Sequence, residues 1–423
     1  MYDAIVVGGR VAGSSTAMLL ARKGMRVLVL DRATFPSDTL STHQVQLPGV
    51  ARLRRWGVLD SVAASGAPPA RHVVFDQGSV VLEGHFPTFE GVDAVYSPRR
   101  TVLDAILVDA AREAGAEVRE DFIVEGLITE GRRVTGIRGA AKGGAAVTEH
   151  ARIVIGADGK HSMVAAEVGA APYKETPPLS AGFYTYWEGV PVSGGELYGR
   201  DRRAFGAWPT NDGLTMTFAS WPISEFDEVR TDVEGHFLRT ADLAGDLGER
   251  LRAGRRVERF RGSPDLPNAI RTPYGPGWAL VGDAGLVMDP VTGQGIGHAF
   301  GDADLLSDAL EEGLGGGRPL ADAMAEFQAT RDRERMPMYE MTLELASFSR
   351  TSEEGAVLFG ALAKSQERID QFLGTITGAV PMDDFFSSRN LMRMVGFRGM
   401  ARLARLRMHA SRGKGRRAEP IPA

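Results

Sequence analysis

The chain has 423 residues, of which 43% are hydrophobic and 24% charged, as is ordinary for a globular protein. Its 49 Lys and Arg against 54 Asp and Glu give a formal net charge of −5, which argues against nucleic acid as the main partner. The absence of cysteine excludes disulfides, Fe–S clusters, thiolate metal sites and cysteine nucleophiles. We find neither a signal peptide nor a run of about eighteen apolar residues, so we expect a cytoplasmic protein without stable membrane insertion.

The N-terminal stretch DAIVVGGRVAGSS predicts a strand, a glycine loop and a helix. The helical pattern closes at Gly24, and MRVLVLDR then predicts a second buried strand. In a Gly-x-Gly-x-x-Gly dinucleotide fingerprint, Gly8 and Gly13 occupy the outer positions and Arg10 stands where the second glycine belongs. Asp31 ends the second strand, where an acid accepts hydrogen bonds from the adenosine ribose.

Arg10 raises the question whether this loop still binds a dinucleotide. The second glycine normally allows the main chain to approach the pyrophosphate. The guanidinium of Arg10 can turn aside, or it can itself bind a phosphate oxygen through a charge-assisted hydrogen bond. Because the strand, the helix and Asp31 remain, we expect Arg10 to substitute one contact without abolishing the site.

Further along the chain the pattern alternates between two types of structure. TVLDAILVDAAREAG predicts a helix, and AEVRED and ARIVIGADG predict strands of the first unit. AGFYTYWEGV and LTMTFASW alternate as strands, with PTNDGL as a turn, which indicates an antiparallel sheet. From residue 301 the chain is predicted to be helical.

Three further segments accompany the N-terminal loop. VIGADGKHS places Asp158 and Gly159 after a strand, LVGDAGLVMDPVTGQGIGHAF places Asp283 before a glycine-rich turn, and RRTVLDAIL places Arg100 at a helix start. Together with the loop, these motifs resemble the FAD-dependent monooxygenases of the aromatic-hydroxylase (group A) class over about residues 2–330. Geranylgeranyl-reductase-like and flavin-halogenase-like proteins of the same superfamily share the motifs.

The resemblance implies an α/β fold in which two domains are built from separate stretches of chain. A Rossmann-like FAD-binding domain of the ββα type, with a mostly parallel sheet, is joined to an antiparallel-sheet substrate domain and a helical C-terminal region. The boundaries are predicted as 1–70, 97–177 and 266–335 for the FAD-binding domain, 71–96 and 178–265 for the substrate domain, and 336–423 for the C-terminal region with its basic tail.

The resemblance also implies which residues bind FAD. Asp283 accepts hydrogen bonds from the ribityl hydroxyls, and the helix from about Ile296 directs its free N–H groups at the flavin pyrimidine. Arg99 is an alternative to Arg100 for the position beside the flavin. The expected cofactor-binding residues are Gly8, Gly9, Arg10, Val11, Ala12, Gly13, Asp31, Arg32, Arg100, Val124, Asp158, Gly159, Asp283, Gly293, Gly295 and Ile296.

The sequence shows no Ser-His-Asp arrangement, metal cluster or paired carboxylates, which fits an enzyme whose cofactor carries the chemistry. The resemblance implies that NADH or NADPH, or a separate flavin reductase, supplies electrons. One oxygen of O2 is then inserted into an aromatic or polycyclic small molecule through a flavin C4a-hydroperoxide. We expect a role in natural-product tailoring or aromatic catabolism, with the protein keeping the site dry and positioning the substrate.

By this resemblance, the segment FPSDTLSTHQVQLPG corresponds to the part of the family's chain that runs along the inner face of the flavin. We expect His43 to be a catalytic polar residue there, against the alternative of a structural loop histidine, and we expect His298 to pack. Aromatic residues of the antiparallel sheet suit a planar substrate, although only one face of each strand can line a pocket. The candidates for that wall, which core packing also explains, are Phe183, Trp187, Trp208, Met216, Phe218 and Trp221.

Three alternatives stand beside the monooxygenase. DPVTGQGI resembles the turn of the reductase relatives, so an FAD-dependent reductase of prenyl or polyene double bonds is the first. RAFGAWPTNDG lacks the halogenase motif Trp-x-Trp-x-Ile-Pro, and between Arg32 and His150 the chain has no lysine except Lys142, so halogenation is disfavoured. A flavin-free carrier of prenylated proteins is favoured only by Arg10, and the acids Asp31 and Asp283 argue against it.

The basic tail RLARLRMHASRGKGRRAEPIPA carries Arg402, Leu403, Arg405 and Leu406 at partly helical spacing. Two interpretations remain open. The tail is a solvated helix end, which is the commoner case, or it is a basic helix that rests on a membrane surface.

Overall fold

The computed structural model describes residues 1–348 and 352–414, so residues 415–423 of the predicted basic tail lie outside the described residues. The strands are β1 (Tyr2–Val7), β2 (Val27–Leu30), β3 (His72–Asp76), β4 (Val81–His85), β5 (Glu117–Arg119), β6 (Phe122–Glu130), β7 (Arg133–Ala141), β8 (Ala146–Gly156), β9 (Pro172–Thr176), β10 (Ser180–Glu188), β11 (Gly195–Arg200), β12 (Arg203–Pro209), β13 (Thr215–Pro222), β14 (Arg255–Arg256), β15 (Arg261–Ser263), β16 (Asn268–Arg271), β17 (Tyr274–Gly275), β18 (Trp278–Leu280) and β19 (Leu286–Val287). The helices are α1 (Val11–Arg22), α2 (Leu47–Arg55), α3 (Leu59–Ala64), α4 (Arg100–Glu113), α5 (Met163–Glu167), α6 (Phe226–Val229), α7 (Val233–Ala241), α8 (Leu247–Ala253), α9 (Gly295–Leu314), α10 (Leu320–Ala346), α11 (Ser352–Leu362), α12 (Gln366–Thr377), α13 (Met382–Phe385) and α14 (Ser388–Lys414).

The first sheet has a parallel centre in the order β18-β8-β1-β2-β5. Its strand β2 is buried at every position, as parallel strands are when helices cover both faces of the sheet. On one side, α1 packs between α4 and α9 through small and aliphatic residues. The strands β6 and β7 join β8 as an antiparallel extension. The α/β class with a mostly parallel first sheet is confirmed.

The second sheet runs in the order β14-β10-β13-β12-β11-β3-β4 and is antiparallel except where β11 pairs with β3. One face packs on α7 and α8, around Trp221, Phe237 and Leu251. The other face carries Tyr186 and Trp208. Because neighbouring side chains of a strand point to opposite faces, the two aromatic clusters are separated by the sheet.

The C-terminal helices complete the fold, and the first of them continues across the boundary predicted at residue 335. Helix α10 spans the boundary placed at residue 335, and its Arg331 and Arg335 are both buried, so this helix packs with the nucleotide-binding half along its length. Beyond it, α11 to α14 form a core with β3 and β4. A third small sheet, β19-β16-β9, was not anticipated from the sequence. Within residues 1–348 and 352–414, no helix combines the length and the apolarity that crossing a bilayer requires.

Replacing Gly8 with alanine is expected to destabilise the fold. Gly8 has φ +102°, and a Cβ there would lie 2.5 Å from the Ala157 carbonyl oxygen. Strain and overpacking of this kind cost about 1–3 kcal/mol, so thermal unfolding followed by circular dichroism should show a lower Tm. The control is Gly360→Ala in α11, where a Cβ meets nothing within 4 Å and the Tm should be unchanged or higher. Equal Tm values for the Gly8→Ala variant and the wild type would contradict this account.

Candidate active site

Loops that are distant in the sequence meet at the carboxyl edge of the parallel sheet. Gly8 follows β1, Asp31 follows β2, Asp158 lies two residues after β8, and Asp283 lies three residues after β18. These four strands are neighbours and run in the same direction. Because ligands of open α/β sheets bind at this edge, the structure brings the four motifs together where a ligand is expected.

The glycine loop leads into α1, whose N-terminus has no side-chain cap. Arg10 at the N-cap position makes no capping hydrogen bond, and the first turn contains no acid, so the N–H groups of residues 11–13 are available to an anion. The Asp31 carboxylate accepts a hydrogen bond from the Gly9 N–H at 2.6 Å and from the Ala33 N–H at 2.7 Å. Asp31 therefore fixes the loop against the end of β2.

The Arg10 guanidinium turns aside, which is one of the two arrangements considered from the sequence. It donates to Asp104 Oδ2 at 2.7 Å, to Ser37 Oγ at 2.9 Å and to the Asp38 carbonyl at 3.2 Å. It also lies 5.6 Å from the centre of the Phe35 ring. Arg10 thus joins the start of α1 to α4 and to residues 35–38.

Arg100 binds the same carboxylate from the other side. Its Nε and Nη2 donate to Asp104 at 2.9 and 3.1 Å, and Asp104 is fully buried. Arg99, the alternative candidate, pairs with Glu258 instead and lies 4.6 Å from the centre of the Tyr186 ring. The two neighbouring arginines therefore serve different halves of the site, Arg100 the cofactor side and Arg99 the second sheet.

Asp283 lies on the wall of a cleft. Part of its surface is open to solvent. The protein atoms packed around its carboxyl nevertheless raise its pKa by desolvation, and the charges of Arg100 and Lys160 oppose that rise. The preceding residue is held by α9, because the Gly282 N–H donates to Asp302 Oδ2 at 3.1 Å. A carboxylate in this position accepts hydrogen bonds from a ligand that enters the cleft.

The N-terminus of α9 forms an open cradle. Gln294 at the N-cap makes no side-chain cap, and the first turn contains no acid. A Cβ at Gly295 or Gly297 would meet nothing within 4 Å, so there is free space beside the helix start. Gly293, with φ +63°, makes the sharp turn before it. The helix dipole directs partial positive charge into this space.

Asp158 supplies an unpartnered acceptor. Its Oδ2 accepts the N–H groups of Met163 at 2.7 Å and Val164 at 3.2 Å, at the start of α5. Its Oδ1 is buried and has no hydrogen-bond partner among the residues that the structure describes. Gly159 beside it has φ +82° and open space around its Cα.

The remaining predicted cofactor residues lie around the same edge. Arg32 is exposed directly after Asp31. Val124 lies two residues after Phe122, whose N–H donates to the Asp31 carbonyl at 2.9 Å. Ile296 is buried in the main core, so only its backbone is free to face the cleft.

These features fit FAD. Two uncapped helix N-termini suit a pyrophosphate and the electron-rich edge of a flavin. The strand-end carboxylates of Asp31 and Asp283 suit two polyol segments, and the free face at Gly295 admits a flat ring. The unpartnered Asp158 Oδ1 is a further acceptor that a ligand would satisfy.

His43 is fully buried and paired with a tyrosine of the second sheet. Its Nδ1 lies 2.8 Å from the Ser41 carbonyl, and its Nε2 lies 2.5 Å from the Tyr186 hydroxyl. Because a carbonyl only accepts, Nδ1 carries the proton and Nε2 accepts from Tyr186. Burial lowers the pKa of His43 to about 3, and the Arg100 charge adds to this, so the imidazole is neutral.

Tyr186 was not identified from the sequence, although strand alternation in AGFYTYWEGV gave a signal that could have found it. Burial raises the pKa of Tyr186, so its hydroxyl stays protonated. Burial also raises the pKa of the neighbouring Tyr184 to about 12. The Tyr184 ring is 5.7 Å from His43 in an edge arrangement, so the two tyrosines enclose the imidazole.

The six predicted pocket-wall residues lie on two faces of the second sheet. Trp208, Met216 and Phe218 are on the His43 face, in one cluster with the two tyrosines. Phe183, Trp187 and Trp221 are on the opposite face, packed with the core of α7 and α8. The alternation of side chains along β10 and β13 directs these last three away from His43, and the pocket-wall role of all six stays a prediction.

A narrow cavity of about 30 Å³ adjoins the His43 face. Its wall includes Trp208 from the sheet, Gln44 from the segment after His43, and Leu373 and Ile376 from α12. The Gln294 side chain donates to the Ile376 carbonyl at 2.8 Å, which ties α12 to the start of α9. This contribution of the C-terminal helices was not expected from the sequence.

The profile of the FAD binding domain family matches residues 1–232, which is more than half of the chain. The chain therefore belongs to this family of FAD-dependent oxidoreductases. The predicted cofactor FAD and the predicted superfamily are thereby confirmed.

Two relatives show the breadth of the similarity. Digeranylgeranylglycerophospholipid reductase 1 of Methanococcoides burtonii is 26% identical over 329 residues, which are 77% of this chain and 76% of that protein. The probable electron transfer flavoprotein-quinone oxidoreductase YdiS of Escherichia coli is 32% identical over 187 residues, which are 40% of this chain and 39% of that protein. The chain thus matches well under half of the length of YdiS.

Solved structures share the whole fold. The myxobacterial chondrochloren halogenase CndH superposes with a TM-score of 0.75 at 23% identity, covering 95% of this chain and 96% of that one. PqsL, a probable FAD-dependent monooxygenase from Pseudomonas aeruginosa, gives a TM-score of 0.69 at 21% identity, covering 87% and 98%. At this level of identity the comparison shows the fold alone.

Replacing Arg10 with alanine is expected to weaken FAD binding about tenfold, or about 1.4 kcal/mol. The change frees residues 35–38 and leaves the buried Asp104 with Arg100 alone. Fluorescence titration of the apoprotein with FAD measures the Kd. Arg10→Lys is the matched control and should give an intermediate Kd, because an ammonium keeps the charge but not the fork of donors. If Arg10→Ala binds FAD as tightly as the wild type, the arginine is merely tolerated in this loop.

Proposed function

We propose that the protein is an FAD-dependent monooxygenase that takes electrons from NADH or NADPH and transfers one oxygen atom of O2 to a planar small molecule. The single observation that carries the proposal is the enclosed His43–Tyr186 pair on the aromatic face of the second sheet. This face adjoins the α9 cradle, because a Cβ on Gly293 would lie 3.2 Å from Gln46 Nε2, in the segment that follows His43.

The cofactor side would hold FAD, which supplies electron transfer and activation of O2 when it is bound. Asp31 and Asp283 would hold its polyol segments, and the first turn of α1 its pyrophosphate. The start of α9 would stabilise negative charge at the ring edge. The charge of Arg100 favours the ionised form of Asp283.

The centre of the substrate side is aromatic and buried, and the charged pair Arg99–Glu258 lies at its edge. Tyr184, Trp208 and Met216 form a buried cluster around the pair. A dry aromatic wall favours a planar substrate and protects a reactive oxygen species from side reactions.

Within this wall, Tyr186 is the group that we propose to contact the substrate. Its proton is directed to His43 Nε2, so the lone pairs of its oxygen would accept a hydrogen bond from a substrate hydroxyl once the cluster that buries Tyr186 opens. Such a bond would orient a phenol and increase the electron density of its ring. His43 acts through Tyr186 and is therefore a positioning residue.

A second candidate is an FAD-dependent reductase of prenyl double bonds. The alignment over 76% of the archaeal digeranylgeranylglycerophospholipid reductase supports it. The cavity beside α12 is lined in part by the aliphatic side chains Leu373 and Ile376, which match a prenyl chain in polarity.

A labelling experiment separates the two candidates. The FAD-loaded protein is incubated with NADH or NADPH, isotopically labelled O2 and a panel of phenolic, polycyclic and polyprenyl compounds. The monooxygenase predicts consumption of O2 and one labelled oxygen atom in a phenolic or polycyclic product. Saturation of a prenyl double bond under anaerobic conditions, without labelled product, would overturn this proposal and establish the reductase.

Tyr186→Phe is expected to lower kcat about a hundredfold with little change in KM for a phenolic substrate, because orientation of the reacting ring is lost. The matched control is Tyr198→Phe in β11, whose hydroxyl bonds Glu196 away from His43, and it should retain full activity.

The pH dependence supplies a second readout for this pair. Since burial lowers the pKa of His43 to about 3, its imidazole stays neutral and kcat should show no limb from His43 between pH 5 and 8. A kcat that titrates near pH 6.5 in the wild type and not in a His43→Gln variant would contradict the positioning role.

A further inference from the structure

Helix α14 is the most cationic element of the chain. Residues 388–414 contain eight Arg or Lys and no Asp or Glu, although the whole chain carries a formal net charge of −5. Positive charge without compensating acids is therefore concentrated on this helix, at the end of the C-terminal bundle. Segregated positive charge is typical of a surface that meets an extended anionic partner.

Five arginines of α14, on the part of the helix whose side chains the structure describes, are exposed and unpaired. Those on the described part of the helix with exposed side chains are Arg389, Arg393, Arg398, Arg402 and Arg405. Across residues 1–348 and 352–414, no carboxylate or other acceptor pairs with any of these five side chains. Exposed arginines elsewhere do find partners, as in the pairs Arg230–Asp227 and Arg252–Asp242.

The spacing of these arginines opposes helix formation. Arg389 and Arg393 are four residues apart, as are Arg398 and Arg402, so like charges face each other within the helix. No acid within the helix compensates for them. The helix is instead held by its other side, where Leu391, Met394 and Leu403 are buried. An external anionic partner would relieve the repulsion.

Apolar side chains are exposed among the arginines. Phe397 is 78% exposed and Met392 is 40% exposed, and both are large hydrophobic residues. Gly396, with φ 68° and ψ 177°, interrupts the helix directly before Phe397. The exposed phenyl ring therefore directly follows the interruption of the helix, and Arg398 is the next residue. Aromatic residues flanked by cations are typical of segments that lie at a membrane interface.

We propose that this face of α14, defined by Arg389, Met392, Arg393, Phe397, Arg398, Arg402 and Arg405, docks on an anionic phospholipid bilayer. A bilayer satisfies both features at once, since its phosphates pair with the arginines and its acyl boundary accepts Phe397 and Met392. A second copy of the chain would bring two identical positive faces together, which repel. A nucleic acid would pair with the arginines and leave Met392 in water.

Docking would place the substrate side close to the lipid. Arg368 of α12 donates to the carbonyls of Met394 at 3.3 Å and Arg393 at 3.2 Å, so α14 is joined directly to the helix that lines the cavity. This inference does not depend on the proposed reaction, and its test requires no substrate.

The test is flotation of the FAD-loaded full chain with vesicles. The protein is expected to bind vesicles of mixed phosphatidylglycerol and phosphatidylcholine and not to bind vesicles of phosphatidylcholine alone. It is expected to dissociate from the anionic vesicles at high salt. The Arg398→Glu, Arg402→Glu double variant should partition at least about tenfold less, and Phe397→Ser several-fold less. Circular dichroism checks that each variant keeps its fold.

The matched control reverses the same amount of charge elsewhere. Arg132 and Arg259 are exposed on other elements, and the Arg132→Glu, Arg259→Glu double variant should bind anionic vesicles like the wild type. An equal loss in this control would show unspecific charge attraction and overturn the proposal. Absence of vesicle binding would also overturn it, as would a Phe397-dependent dimer in sedimentation or binding of duplex DNA without binding of vesicles.

Discussion

The buried carboxylate of Asp104 holds the site together. It lies on α4 and accepts hydrogen bonds from Arg10 at the start of α1 and from Arg100 one turn earlier on its own helix. A fully buried carboxylate without a partner costs about 3–5 kcal/mol, and the two arginines together satisfy Asp104. Through this carboxylate the glycine loop, residues 35–38 and the positive charge of Arg100 are fixed relative to one another.

The position of Arg100 connects the two halves of the site. Its charge opposes the rise that burial causes in the pKa of Asp283, and it adds to the fall that burial causes in the pKa of His43. The substrate side therefore keeps a neutral imidazole and a protonated Tyr186. Arg100 thus favours the ionised form of Asp283 on one side and the neutral form of His43 on the other.

The cofactor side could be proposed from local patterns, because each of its residues follows a strand that the sequence predicts independently of the others. Gly8, Asp31, Asp158 and Asp283 each terminate a short apolar run, and parallel pairing then brings them to one edge. The individual roles of these residues stay predictions. The α/β class and the family followed from the same motifs and are confirmed.

The substrate side was less predictable because its contacts are long-range. The pairing of His43 with Tyr186 depends on how β10 faces the segment before α2, and no local pattern encodes that. Alternation along β10 separates Phe183 and Trp187 from Tyr186, but the sequence does not say which face α7 and α8 cover. Asp104 was missed for a similar reason, since it reads as an ordinary acid on a helix until its partners are placed around it.

The most direct measurement is the amount of FAD that the purified chain releases on denaturation, after reconstitution with excess FAD and removal of the unbound cofactor. The account predicts a yellow protein that releases about one FAD per chain, with release falling sharply in an Asp283→Ala variant that keeps its fold. A folded, colourless wild-type protein that takes up no FAD would contradict it.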